Sequence, residues 1–242
     1  MEHPNSNGVV LFQPSFSSFK TPPPSYYEAG LTLDVPPALS ELVNSVGVTI
    51  KLAESKMGLN LQYDCLESGS LRQLYKMSLK QERIFCDRGD KGHCKVDVFT
   101  AQGSQLLWSI ERLAGTDAVS VYTSTGIVIG RAESGSGRDC CEPMVHKAID
   151  ICDDKGTCIL RLTDKSTEDD CCCRYSSGLR YSLCSTASQM PIGAASVVNV
   201  SGCCFTQPQA TVSYPMDLQA KAKAVTIGAV VLALSSWRFR DE

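Results

Sequence analysis

The side chains with the greatest chemical potential in this chain are thirteen cysteines, and their spacing limits what they can do. Several are adjacent: Cys140-Cys141, Cys171-Cys172-Cys173 and Cys203-Cys204. No two stand three apart, so the C-x-x-C spacing of zinc ribbons and thioredoxin-like redox sites is missing. Neighbouring thiols chelate one ion poorly, which counts against a metal site built from the triple cysteine and Cys184. S-acylation at a membrane surface is the chemistry that Cys171, Cys172 and Cys173 suit, set against idle thiols in a hairpin loop. His93 beside Cys94 is a possible acid–base or nucleophile pair, but the adjoining Asp87–Gly92 turn reads as a solvated loop. The phosphate loop G-x-x-x-x-G-K-[ST], the zinc motif H-E-x-x-H and the nucleophile elbow G-x-S-x-G are all missing, so no catalytic site is expected. Pro23-Pro24-Ser25-Tyr26 is a P-P-x-Y sequence. WW domains grip such segments because a stiff polyproline helix loses little entropy and the Tyr26 ring fills a groove.

Lys+Arg 23 against Asp+Glu 26 gives a net charge of −3, which supplies no basic stripe for nucleic acid. Apolar residues at 43% and charged residues at 20% over 242 positions exclude global disorder and allow a sizeable core. Met1–Gly8 is polar and no basic stretch precedes an apolar core, which predicts a cytosol-facing chain with reduced thiols. Seven of the eleven prolines fall in the first 37 positions, so residues 1–35 read as a disordered Pro-rich tail and residues 36–242 as the folded domain.

Within that domain the signals are mostly strand. Lys95–Ile110 reads as two runs about a turn at Gln102-Gly103-Ser104, and Ala148–Leu162 as two runs about Asp153–Gly156. Each is followed by a further strand candidate, Val119–Arg131 and Tyr181–Ala195. Val96-Asp97 leading to Gly103 is matched by Ile149-Asp150 leading to Gly156, and Ile129-Gly130 by Ile192-Gly193, so two copies of one β-meander are expected. The second is longer and takes in Asp169–Tyr175. Duplicated meanders suggest a closed barrel or two packed sheets.

Met216–Leu234 is rich in Ala and Leu, and Pro215 and Asp217 read as its helix start. Ala224 to Trp237 is uncharged over 14 residues. At ~1.5 Å per residue it spans roughly 21 Å, short of a ~30 Å hydrocarbon core. Lys221 and Lys223 before it balance Arg238 and Arg240 after it, and Gly228 invites close packing. A helix buried in protein is expected, with thin or tilted membrane insertion as the alternative.

Tyr214-Pro215-Met216-Asp217-Leu218, then Lys221-Ala222-Lys223-Ala224, then Ile227-Gly228-Ala229 resemble the C-terminal signature of the phospholipid scramblases, and Pro36-Pro37-Ala38-Leu39 resembles their domain entry. The resemblance covers about residues 36–240. It implies a mainly β fold: a closed antiparallel barrel of about twelve strands from two repeats around a C-terminal hydrophobic helix, related to the Tubby C-terminal fold. It also implies calcium-activated, ATP-independent, bidirectional movement of phospholipids between leaflets by a membrane-associated, cytosol-facing protein. Two departures stand out. Where the family places two leading acids of a calcium loop, this chain has Thr206 and Pro208, and Asp217 alone keeps a carboxylate; Ca2+ binding is expected to be weak. Glu111-Arg112 is followed by Leu113-Ala114-Gly115 rather than by the family's palmitoylated cysteines, leaving Cys171–Cys173 as the nearest substitute. A lipid-surface adaptor that recruits WW-domain partners is the alternative function.

Overall fold

The structure, a computed structural model, describes residues 35–54, 60–81, 93–112, 115–134, 148–165, 178–201 and 206–238. Residues 1–34 of the proposed tail, with Pro23, Pro24 and Tyr26, and the triple cysteine Cys171–Cys173 lie outside the described residues, while Val35 packs against the core.

Twelve strands run in chain order: β1 (Gly47–Glu54), β2 (Asn60–Glu67), β3 (Gln73–Gln81), β4 (Cys94–Thr100), β5 (Leu106–Arg112), β6 (Ala118–Thr123), β7 (Val128–Ser134), β8 (Ala148–Asp153), β9 (Cys158–Asp164), β10 (Leu179–Ser185), β11 (Pro191–Ser201) and β12 (Thr206–Ser213). Each pairs antiparallel with its sequence neighbours, and β1 pairs with β12, Gly47 opposite Ser213, to close the barrel. Closure is what duplicated meanders need to remove their edges. The two meanders are β4–β7 and β8–β11.

Alternation along the strands decides which face is which. Ile149 and Ile151 of β8, Leu160 and Leu162 of β9, and Leu179, Tyr181 and Leu183 of β10 are buried, whereas Asp150, Arg161, Arg180 and Ser182 between them are less so. The inner face is apolar, with Tyr75 and Trp108 edge to face at 5.8 Å. The outer face carries Lys80, Arg131, Glu133, Asp150 and Arg161, most of them in ion pairs across neighbouring positions. That polarity is the reverse of a membrane-spanning barrel, whose outward residues are apolar.

A 3-10 turn (Pro37–Leu39) and the one-turn helix α1 (Ser40–Val43) precede β1, and α2 (Ala220–Arg238) follows β12. Every residue from Ala222 to Leu234 is buried, more than three turns without an exposed side, so the barrel encloses the helix. Gly130 and Gly228 permit the fit. A Cβ on Gly130 would stand 2.6 Å from Val225 Cγ2 and 2.5 Å from the Cys152 carbonyl oxygen. One on Gly228 would meet Val121 Cγ2 at 3.0 Å and Ile110 and Val119 Cγ2 at 3.7 Å. Gly228→Leu should therefore overpack the barrel and lower stability by about 1–3 kcal/mol or more, read as the denaturant midpoint. Unchanged stability would mean that this face of α2 is free.

Three expectations need correction. The helix begins at Ala220, not Met216: Pro215 opens a turn closed by Leu218 N–H to the Pro215 carbonyl. Val119–Arg131 and Tyr181–Ala195 are hairpins rather than single strands. The first breaks at Gly126, whose φ of +83° suits its turn, and the second at Thr186–Met190. The stretch carrying Thr206 and Pro208, where the resemblance implied a loop, is strand β12, with Pro208 opposite Asn199 and Thr206 opposite Ser201.

Candidate functional site

An up-and-down barrel places every second connection at the same end. The turns β2–β3, β4–β5, β6–β7, β8–β9 and β10–β11 share one end with the α1–β1 and β12–α2 junctions. The residues that carried the scramblase resemblance converge there. Lys223, in the first turns of α2, has no exposed surface, and its Nζ donates toward the carbonyls of Leu42 (3.0 Å), Val43 (2.9 Å), Ser45 (2.9 Å) and Met216 (2.8 Å). Three of these belong to the C-terminal end of α1 and the residues after it, where helix carbonyls lack intrahelical donors. Nζ also lies 5.3 Å from the centre of the Tyr214 ring. Burial pulls the ammonium down to about 8, with Asp217 opposing, which leaves it charged at neutral pH. Tyr214 O–H shares a 2.9 Å hydrogen bond with the Ser45 hydroxyl, its N–H donates to the Val46 carbonyl, and burial pushes its phenol up. One lysine thus ties the domain entry, the Tyr214–Leu218 element and the buried helix into a single seal.

Around this seal stands a rim of apolar side chains. Leu71, Ile127, Met190 and Met216 are 60% to 66% exposed and sit on four different connections; Val46, Leu106 and Val128 are less exposed. Of the large apolar residues exposed among the described residues, only Val200 lies at the other end. Leu71 is held at φ +57°, which is unfavourable for a leucine, and its side chain is left in solvent; neither local backbone preference nor core packing accounts for it. Two ion-pair groups lie near the rim. Arg72 bridges Glu41 (2.8 Å) and Glu67 (3.3 Å), the Ser70 hydroxyl and then Arg72 hold the Glu67 carboxyl below its usual range, and Lys221 lies 3.6 Å from Asp154.

The predicted site residues are distributed as follows. Ala224 and Gly228 are core helix positions, and Trp237 lies in the last turn of α2. Asp217 is exposed at the sealed end, close enough to influence Lys223. Thr206 and Pro208 lie on the strand at the far end from it, so the structure does not bring the three together. No group of three or more His, Cys, Asp and Glu able to hold a metal ion occurs among the described residues. His93 Nε2 contacts Glu111 (3.1 Å), while Cys94 faces the core with its thiol pushed up by burial, so these neighbours point apart. Lys223 and the rim were missed as sites. A lone lysine inside an alanine run, and single apolar residues inside glycine turns, were the available signals. No family model, curated protein or solved structure matches this chain.

Proposed function

We propose that this chain is a phospholipid scramblase-like protein that docks on a cytosol-facing membrane surface by its apolar rim. The observation that carries the reading is that rim, confined to one end of a barrel whose wall is charged. No helix among the described residues is long and apolar enough to cross a membrane, and α2 is committed to the core. The protein therefore acts from the surface: wedging the rim between headgroups loosens a leaflet and lowers the barrier to headgroup transit, which arises because hydrocarbon cannot solvate polar groups. Such movement is bidirectional and needs no ATP. Asp217 is the retained carboxylate for any calcium contact, and acylation of Cys171, Cys172 or Cys173 would add a second anchor to the apolar rim.

The test is binding and lipid exchange on vesicles of zwitterionic phospholipid carrying a fluorescent lipid, with and without Ca2+. Replacing Leu71, Ile127 and Met190 together by Asp should weaken vesicle co-sedimentation at least about tenfold, since a few kcal/mol of apolar insertion is lost. Aspartates at outer-wall Ser78, Ser120 and Ser182 should not. Equal binding by the rim variant overturns the docking surface. A second reading, a lipid-surface adaptor whose Pro23-Pro24-Ser25-Tyr26 recruits a WW-domain protein, is favoured by the two missing carboxylates at Thr206 and Pro208. Vesicle binding without accelerated lipid exchange would select it.

A further inference from the structure

We propose that Cys152 and Cys158 form a reversible dithiol–disulfide site on the barrel wall, oxidised by a small-molecule disulfide such as glutathione disulfide. Cys152 is the penultimate residue of β8 and Cys158 the first of β9, and they stand opposite each other in the register, beside a one-residue bulge at Ile159. The turn between them fixes which kind of pair they are. Asp153 N–H donates to the Thr157 carbonyl (2.9 Å) and Gly156 N–H to the Asp153 carbonyl (3.1 Å), with Gly156 at φ +83°. The Asp153 carboxylate also accepts from the N–H groups of Lys155 and Thr157, which stiffens the loop. The next pair outward, Cys152 and Cys158, is thus a non-hydrogen-bonded pair, the closer of the two antiparallel types at about 4.5 Å between Cα atoms. That separation falls inside the range a disulfide spans. Both thiols are partly exposed and in side-chain contact with each other.

No other pair among the described cysteines has this placement. Cys65 and Cys94 are buried, facing Ile50 and Tyr75 in one case and Arg112 and Gln81 in the other. Cys184 stands opposite Arg161 and Pro191. The reaction balances as two exchanges. One thiol loses its proton and attacks the glutathione disulfide, breaking its S–S bond and releasing one glutathione, which takes up a proton. The second thiolate then attacks the protein sulfur of the mixed disulfide and expels the other glutathione. Two protein thiols are oxidised, one glutathione disulfide is reduced to two glutathiones, and no proton is gained or lost overall.

The surroundings set the rate rather than the outcome. Partial burial, each thiol's own neighbour and the carboxylates of Glu133 and Asp150 hold Cys152 up at about 11, and burial and Asp150 raise Cys158, with Arg161 opposing. Exchange is therefore slow at neutral pH and faster as the solution is made alkaline. The linkage matters because the same hairpin carries Asp154, which meets Lys221 in the first turn of α2.

The full-length protein is equilibrated with glutathione disulfide, quenched in acid, alkylated and mapped by tandem mass spectrometry. The expected product joins the Cys152 and Cys158 peptides, with both thiols lost together and no glutathione retained on either. Cys158→Ser should keep glutathione on Cys152, and Cys152→Ser should keep it on Cys158, because the resolving thiol is gone. Both thiols still alkylated in the wild-type protein, a lasting glutathione adduct on one of them, or Cys152 joined to another cysteine would each overturn the site.

Discussion

Removal of residues 222–242 should leave a chain that is insoluble and lacks a cooperative melt. The segment contributes Val225, Ile227, Val230, Val231, Leu232 and Leu234 to the core, each no more than 8% exposed. At about 1.5–3 kcal/mol for each large aliphatic side chain, the loss is roughly 10 kcal/mol or more. That matches or exceeds the whole stability of an ordinary domain, about 5–15 kcal/mol. The deletion also uncovers the inner faces of β6, β7, β8, β11 and β12, against which α2 packs. Soluble fraction, circular dichroism and thermal melting read the outcome. A soluble, cooperatively melting β-domain would show that the helix is an appendage and not the core.

Lys223→Met should cost about 3–5 kcal/mol although the methionine fills the lysine stem's volume. The substitution leaves four carbonyls without their shared donor, those of Leu42 and Ser45 in fully buried surroundings. It also frees the domain entry from the helix, so local opening near Ser45 and Tyr214 should appear in hydrogen exchange. The effect depends on pH with a definite sign. The folded lysine is held at about 8 against the 10.5 of a free lysine, so the unfolded chain binds more protons between those limits. Wild-type stability relative to the non-titrating variant should then rise from pH 8 to pH 10.5 and be flat below pH 8. A loss under about 1 kcal/mol would remove the seal from the account.

The β-architecture was legible because its signals are local. Glycines at 103 and 156 marked turns that adopt positive φ, and the Val-Asp-Val alternation at 96–98 marked strand β4, although Asp97 is itself buried. The charge-free run from Ala224 gave the buried helix because an element apolar on all sides must be surrounded. Other features were hidden for physical reasons. Val119–Arg131 takes in most of the six-residue β6 and the first four residues of the seven-residue β7, and the Ser124–Ile127 turn between them was absorbed into one continuous apolar-rich reading. The loop expected before Tyr214 became β12 because β1 and β11 both pair with it, a tertiary demand that no short window contains. Lys223 looked like one of two flanking cations. Only the fold reveals that Lys221 remains at the surface while Lys223, two positions on, turns inward to carbonyls 178 to 181 residues away.

The position of the core helix has a bearing on how the chain is made. Synthesis delivers β1 to β11 before their closing partner β12, and delivers α2 after every strand. Until then the growing sheet has two open edges and an apolar concave face with nothing to bury it against. Closure joins Gly47 to Ser213, and the seal joins Leu42 to Lys223, both among the longest-range contacts in the domain. Such contacts reward the chain only after most of its loop entropy has been lost, so folding is slow. The helix must also arrive before the ring closes, because a finished barrel offers it no way in. The hazard for such a chain is edge-to-edge association before closure rather than unfolding afterwards.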